Sequence, residues 1–523
     1  MAERLESWKE IAAYLGREVR TAQRWALTRG LPVHRLPGGQ RPRVFALPPE
    51  IDAWLRTGAE ALTAAHPAPA ASVAVLPFLN LTGDADGECF GDGLAEDIIN
   101  ALVRVPGLKV TARTSSFAFR GKGLDARQVG ARLGAAWLIE GSVRRGGGRV
   151  RVSAQLINTA DGCHAWSERY DRRLTDIFAI QDDIARSIAL ALKLTLSRPA
   201  ALAPPTTNLD AYELWMRGRS ISQEYTATAY AQSRECYEAA IARDPRFARA
   251  HFGLAELLFY GVEFGLSRSA RDVATARDAL TRSLECDERL GEAHAMLGVF
   301  RGLLAYDWTG AEESFARAQA LSPGSAAVQS QHAWYHLVPR LKLDAAVSEA
   351  QQAAALDPLS PFVRGHLGLT LQAARQYSRA ADECRHAVEL APGLWWLRWF
   401  YGTALLLCGK HALGFRQCQM AYDEHRNPMV TGAMAMLCGL YRRREQASRL
   451  SRELGEMAQR AYVAPAAFAL ACLGLGDDRA FEWFGKAVEA RDPIMTHLAS
   501  MPFYDGIRAD PRFRPLLAKM RLA

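Results

Sequence analysis

From residue 209 to the C-terminus, small and bulky apolar residues recur at helical spacing, and the pattern returns with a fixed period. Ala311, Phe315, Ala318 and Pro323 form one copy, Ala346, Ala350, Ala353 and Pro358 the next, and Ala380, Cys384, Ala387 and Pro392 a third. Their closing prolines stand 35 and 34 residues apart, and an earlier copy closes at Ser233, Tyr237, Ala240 and Pro245. A further copy ends near Asp287 and carries an insertion around 261–270. In the preceding helices the pairs Leu297-Gly298, Leu367-Gly368 and Tyr401-Gly402 recur in phase. Residues three and four apart share one helix face, and small residues there let two helices approach closely. Proline lacks an amide donor and ends the second helix of each pair. The spacing predicts a stack of helical hairpins whose register fades after about residue 425, with one more second helix in "DDRAFEWFGKAVEARDP" (477–493).

Between 72 and 198 the pattern changes. "ASVAVLPFLNL" reads as an apolar strand, and "GDGLAEDIINALVRV" as a helix with Leu94, Ile98, Leu102 and Val105 on one face. "LKVTARTSS" reads as a strand, "DARQVGARLG" as a helix, and the run from Ala135 as strands around the glycine-rich turn in "RRGGGRVRV". Alternating strands and helices predict an α/β domain.

At the N-terminus, Trp8, Ile11, Ala12 and Leu15 fall on one helix face, with Ser7 as N-cap and Gly16 as the stop. A second helix follows over roughly 19–27, burying Ala22 and Trp25 and leaving Arg20, Thr21, Gln23 and Arg24 outward. "LPVHRLPGGQRPRVFAL" reads as a β-hairpin wing carrying His34, Arg35, Gln40, Arg41 and Arg43, and "PPEIDAWL" as a closing apolar helix. Two stretches rich in alanine and proline, "TAAHPAPAAS" and "SRPAALAPPTTN", separate the three regions. The expected organisation is a multidomain chain: 1–60, a small winged helix-turn-helix; 61–71, a linker; 72–198, the α/β domain; 199–208, a linker; 209–523, an all-α solenoid.

Each region resembles a known family. Residues 5–57 resemble the MerR or excisionase-like winged helix-turn-helix, on "EIAAYLG", "RTAQRW" and "RVFALPPEIDAWL", and depart from it at Arg17 and Glu18, where an apolar residue and a Ser or Thr cap usually stand. Residues 72–195 resemble the TolB N-terminal-like domain, found beside helical repeats in bacterial regulators and in some adenylate-cyclase-linked proteins. "AVLPF", "DGLAEDI", "ARTSSFAF" and "IEGSVRR" carry that resemblance, which implies no particular reaction. The hairpin period resembles the tetratricopeptide (TPR) repeat, a helix–turn–helix unit of about 34 residues.

Charge sharpens the reading. The net charge of +8 is concentrated: from Arg17 to Arg43 there are seven arginines and one acid, Glu18. A basic patch of that density suggests a polyanion partner. Arg20, Thr21, Gln23 and Arg24 are the candidate base readers, since arginine forks match guanine and glutamine bridges adenine. His34, Arg35, Arg41 and Arg43 are the candidate phosphate or minor-groove contacts. One small reading head touches few base pairs, so tight specific binding calls for a homodimer formed by the later domains.

Other features carry less chemistry. The nine cysteines form no C-x-x-C pair, which argues against disulfides and structural metal. "GDADGECFGDGLAED" gathers six acids, but the twelfth position from Asp84 is Ala95, where a calcium loop needs glutamate. Asp92 and Glu96 are read instead as acids at a helix start. "RRGGGRVRV" lacks the G-K-[ST] ending of a phosphate loop, and no hydrolase, zinc-protease or kinase signature occurs. No catalytic residue, cofactor or metal is expected. In "GLWWLRWFYG", Trp395 and Arg398 are candidates for gripping a protein or peptide in a TPR groove, with core packing as the competing role for the tryptophan. No apolar run approaches membrane-spanning length, and the charged N-terminus does not read as a signal peptide. The sequence thus predicts a cytoplasmic, bacterial, non-enzymatic regulator that binds double-stranded DNA and, through its TPR array, another protein. The alternative is a TPR scaffold or adaptor whose N-terminal domain does not read DNA specifically.

Overall fold

The computed structural model describes residues 4–5, 7–14, 19, 31–36, 43–51, 72–82, 85–103, 105, 107–173, 177–191, 205–224, 226–263 and 270–523. The chain divides into two compact units, Met1–Ala68 and Pro69–Ala523.

In the first unit, helix α1 (Trp8–Tyr14) buries Ile11 and Ala12. The Ser7 hydroxyl accepts the Glu10 amide at 3.2 Å, satisfying a donor that the helix start leaves free. Strands β1 (His34–Leu36) and β2 (Arg43–Phe45) pair antiparallel, with Arg35 opposite Val44. Leu31, Val44, Ala46 and Ile51 close a small core on Ile11 and Ala12.

The second unit begins with a mixed sheet. Its strands are β3 (Ser72–Val75), β4 (Leu79–Asn80), β5 (Lys109–Val110), β6 (Trp137–Gly146), β7 (Arg149–Asn158) and β8 (His164–Arg173). The order is β5-β3-β6-β7-β8, with β4 also on β6. The β3, β5 and β6 pairings are parallel, while β6, β7 and β8 run antiparallel. Parallel neighbours need crossover helices, here α2 (Ala85–Val103), α3 (Arg113–Phe117) and α4 (Ala126–Leu133). Helices α2 and α5 (Ile177–Ala191) bring Leu94, Ile98, Ile180 and Ile184 onto the core with Val73, Ile139 and Val152. Val129 and Leu133 of α4 pack with Ala74 and Leu138 in a second cluster. Gly147 and Gly148, both at positive φ, make the tight β6–β7 turn. The strand expected over "LKVTARTSS" is only two residues long. At Arg113 the chain turns into α3, and the Asp357 carboxylate accepts the Ser115 amide that this helix start leaves without a helical partner.

Helical hairpins follow. The first four are α6/α7 (Leu209–Ser222, Ala227–Arg243), α8/α9 (Ala248–Glu263, Ala270–Cys286), α10/α11 (Gly291–Ala305, Trp308–Leu321) and α12/α13 (Ala326–His332, Leu343–Leu356). Helix α12 continues into a π-turn, Ala333–Leu337. The next four are α14/α15 (Pro361–Ala373, Tyr377–Leu390), α16/α17 (Trp395–Leu407, His411–Glu424), α18/α19 (Pro428–Leu440, Arg444–Arg460) and α20/α21 (Pro465–Leu475, Ala480–Glu489). Helices α11, α13 and α15 each end two residues before the prolines that marked the period. Asn208, Thr226, Asp307, Ser325, Ser360 and Asn427 cap first or second helices by accepting an amide. Between the helices of a pair the backbone turns left-handed at Tyr306, Leu341, Arg375, Gly409, Arg442 and Gly476, which are 33 to 35 residues apart. The repeat therefore continues beyond residue 425, where the apolar pattern had faded. At Gly298 a β-carbon would stand 2.7 Å from the Phe315 ring, which is why a glycine recurs in the first helices.

The array closes on itself. Tyr260 of the second hairpin packs on Phe362 of the fifth at 5.1 Å and accepts a hydrogen bond from Gln331 of the fourth at 2.9 Å. The last segment, with 3₁₀ turns at Pro493–His497 and Pro502–Ile507 and helix α22 (Phe513–Lys519), folds back on hairpins three to five. Tyr306 donates to the Val488 carbonyl at 3.1 Å and the Trp308 indole to that of Met520 at 2.8 Å.

His497 stacks on Trp334 at 4.2 Å, and burial pushes its imidazole down to about 3. A ring held neutral in the fold contributes stability above the unfolded value of about 6.5, and that contribution is lost as pH falls from 6.5 towards 3. His497→Phe keeps a ring on Trp334 and removes the titration. Relative to wild type, the variant should gain about 2 kcal/mol in unfolding free energy between pH 8 and pH 5. Denaturant titrations at the two pH values check this; an unchanged difference would mean that the ring protonates freely within the fold.

Candidate functional site at the junction of sheet and hairpins

Helix α2 turns Leu94, Ile98 and Leu102 into the core, and helical spacing then sets Asp92 and Glu96 together with Asp97 beside them. The three acids are 7%, 6% and 6% exposed. A carboxylate removed from water at this depth is tolerated only when paired, and each one is. Asp92 takes Arg120. Glu96 lies between the guanidinium groups of Arg113, at 3.0 Å, and Arg219, at 2.5 Å. Asp97 takes Arg249 and accepts a hydrogen bond from the Tyr212 hydroxyl.

These partners come from two parts of the fold. Arg113 and Arg120 belong to the sheet layer, whereas Tyr212, Arg219 and Arg249 belong to the first helices of hairpins one and two. Arg219 also reaches Glu256 at 3.7 Å, and Arg249 lies over the Trp215 ring at 5.6 Å. Burial opposes ionisation of Glu96, but Arg219, Arg113 and Arg249 together outweigh it and hold the carboxyl below its ordinary range. At Asp92, burial wins over Arg120 and the more distant Arg113 and raises the carboxyl. Burial likewise raises Glu256.

Two further contacts extend the junction. Asp357, at the end of α13, accepts the Ser115 amide at 3.0 Å and the Ser115 hydroxyl at 2.5 Å. The Ser115 oxygen in turn accepts the Leu359 amide at 2.7 Å, and Ala112 donates to the Leu356 carbonyl at 3.1 Å. Near the first hairpin, Arg145 pairs with Glu213 at 2.6 Å. The sheet layer is thereby fastened to hairpins one, two and four. Chemically, Asp92, Glu96 and Asp97 each face an arginine, and the arrangement holds the two layers together.

The reading of Asp92 and Glu96 as acids at a helix start is corrected here: α2 begins at Ala85, well upstream of both, and their role is ion pairing. A signal for them was present, since Glu96-Asp97 interrupts an otherwise apolar run from Leu94 to Ile99. Their partners, 152 residues away for Arg249 and 115 for Tyr212, were not.

The other candidates fall as follows. Arg20, Thr21, Gln23, Arg24 and Arg41 lie outside the described residues, and for Arg35 and Arg43 only the backbone is described, in β1 and β2. His34 projects from β1, stacks on Phe45 at 4.9 Å and meets Glu50 through Nε2 at 2.6 Å. Trp395 stacks on His425 at 4.7 Å. Arg398 donates to the Pro392 carbonyl at 2.9 Å and pairs with Glu424 at 3.4 Å. The neighbouring Trp396 is core, against Phe362 and Phe400. Outside the junction, Glu312, His332 and His336 bring one ligand atom each within 4.8 Å of one another. Among the described residues, no helix is long and apolar enough to cross a membrane.

No family model matches the chain. A curated protein of Rhizobium meliloti (strain 1021), named "Putative adenylate cyclase 3", is 42% identical over 187 residues, which is 35% of this chain and 32% of the relative. The chain thus spans about a third of the length of the curated relative it matches. Among solved structures, the human IFIT1 dimer with PPP-AAAA is similar at a TM-score of 0.39 and 14% identity, over 60% of this chain and 78% of that one. A tetratricopeptide repeat protein from Parabacteroides merdae ATCC 43184 is similar at 0.34 and 12%, over 51% and 99%. PilF of Pseudomonas aeruginosa is similar at 0.30 and 17%, over 40% and 93%. Similarities of this size do not fix an activity. What the chain itself presents is an array of helical hairpins with a period of 33 to 35 residues, joined to a small mixed sheet.

Proposed function

We propose that the chain is a scaffold or adaptor that holds another protein on its TPR-type array, with the α/β layer as a fixed part of the same body. The observation that carries this reading is the buried junction. Glu96 and Asp97 of the layer are committed to arginines, and Ser115 of the layer to Asp357 of hairpin four, so a partner would meet the two layers as one body. The partner is a protein segment, with Trp395 and Arg398 on the sixth hairpin among the groups it would meet. The curated relative's name belongs to that protein, and no catalytic role is proposed here.

A second reading, supported by the seven arginines of residues 17–43 and by the paired strands that carry His34, Arg35 and Arg43, is sequence-specific DNA binding in a transcriptional regulator. In vitro selection from random duplex DNA with the full chain separates the two. The adaptor predicts no enriched motif at low or physiological salt, and a residual affinity that falls with salt equally for all sequences. An enriched motif lost in the Arg20→Ala/Arg24→Ala double variant would replace the adaptor reading with a regulator read by the second helix. Enrichment surviving that variant would move the readout to the hairpin with His34, Arg35, Arg41 and Arg43.

A further inference from the structure

We propose that Glu312, His332 and His336 form a binding site for a first-row divalent cation, with Zn²⁺ as the probe. Glu312 comes from α11, and the two histidines stand four residues apart on the first helix of the next hairpin. Between them the helix widens into the π-turn, closed by the Val338 amide on the Ala333 carbonyl at 3.1 Å. Such single-turn widenings recur where a helix presents functional side chains. The two rings lie stacked, centroids 5.3 Å apart and 18° from parallel.

One atom from each of the three side chains lies within 4.8 Å of the others. Bonds of about 2.0–2.2 Å to Zn²⁺ put ligand atoms about 3.4 Å apart. Glu312 Oε2 and His336 Nε2 already stand 2.8 Å apart. Glu312 is the exposed member of the three, so its side chain has room to adjust. His332 is supported from behind: Glu349 Oε2 stands 2.8 Å from Nδ1, and Gln319 Nε2 donates to Glu349 Oε1 at 2.6 Å. A carboxylate accepting from Nδ1–H fixes the tautomer and leaves Nε2 with a lone pair for a metal. Two imidazoles and one carboxylate make a borderline-soft donor set that suits Zn²⁺, Co²⁺ or Ni²⁺, with a fourth position left to water.

Arg340 marks the point of convergence. Its Nη1 stands 2.6 Å from Glu312 Oε2 and 3.2 Å from His336 Nε2, so one cationic nitrogen sits against both groups. Lys342 adds a second cation at 3.3 Å from Glu312. A divalent ion would displace the Arg340 head, which is partly exposed and carried on a flexible stem. The arginine is therefore a competitor of the metal, and the effect of its removal on metal binding separates a metal site from a structural ion pair.

The test is Zn²⁺ binding to the full chain by calorimetry, with Co²⁺ absorption as a report on the ligand set. Wild type should retain one equivalent, His332→Ala and His336→Ala should each weaken binding at least tenfold, and Arg340→Ala should strengthen it several-fold. Far-UV circular dichroism shows whether the histidine variants fold, and the gain in Arg340→Ala does not depend on them. No binding by wild type and Arg340→Ala alike would overturn the proposal. So would binding that survives loss of both histidines, or an Arg340→Ala variant that binds more weakly.

Discussion

Replacing Arg249 by methionine should lower the unfolding free energy by about 3–5 kcal/mol, because it leaves the Asp97 carboxylate buried without its cation. Methionine retains much of the side-chain length over Trp215, so the loss reports charge more than packing. The Tyr212 hydroxyl still donates to Asp97, but a neutral hydrogen bond does not offset the desolvation of an anion. Adding Asp97→Asn should restore a large part of the loss, since the double variant buries no unpaired charge. Glu96 offers a parallel case: Arg219→Met removes the nearest of the three arginines that now outweigh its burial, leaving Arg113 and the charge of Arg249. Equilibrium denaturation of the four proteins in the Arg249/Asp97 cycle measures the coupling. A single-variant loss under about 1 kcal/mol would show that water reaches the pair and that the junction is looser than its geometry implies.

The second large effect is expected far from the junction. Gly439→Ala should destabilise the array by about 3 kcal/mol or more, at the upper end of what overpacking costs. Helices α18 and α20 meet main chain to main chain. A β-carbon on Gly439 would overlap the Gly474 carbonyl, and one on Gly474 would stand 2.5 Å from the Met436 α-carbon. No rotamer relieves a clash with backbone, so the two helices must part and expose the core around Met434, Leu437 and Leu470. Gly455→Ala in α19 is the control. Nothing lies within 4 Å of a β-carbon there, and the gain in helix propensity should stabilise by about 0.5–1 kcal/mol. Thermal melts of the two variants should move in opposite directions. A Gly439→Ala melt that matched wild type would mean that hairpins seven and eight are packed less closely than this.

Much of the architecture was legible because it is local. The small-residue spacing ending in Pro323, Pro358 and Pro392 marks helix pairs through contacts three and four residues apart, and these helices form where the spacing placed them. The β6–β7 hairpin was readable from Gly147 and Gly148, whose left-handed backbone needs no partner elsewhere in the chain. After residue 425 the apolar pattern blurs, yet the left-handed turns at Arg442 and Gly476 keep the period. The unit is conserved there as backbone geometry, and arginine occupies a position where glycine would have been the recognisable signal. The closure of the array was harder to foresee. Tyr260, Gln331 and Phe362 are separated by one or two hairpins, and whether they meet depends on the small rotation accumulated at each repeat.

What the sequence determined by itself is the list of elements: amphipathic helices paired at a 34-residue period, a sheet with a glycine turn, and a basic N-terminal region. Periodicity, capping and turn chemistry act over a few residues, so they are written where they operate. What only the tertiary structure decided is the company each charged side chain keeps. Asp92, Glu96 and Asp97 look alike along α2, but Arg120 answers the first from the same layer and Arg249 answers the last from a distant hairpin. Glu312 and His336, 24 residues apart, became neighbours in the same way. An ion pair or ligand set has no sequence period, because its geometry exists only after the burial of apolar surface has brought the helices together.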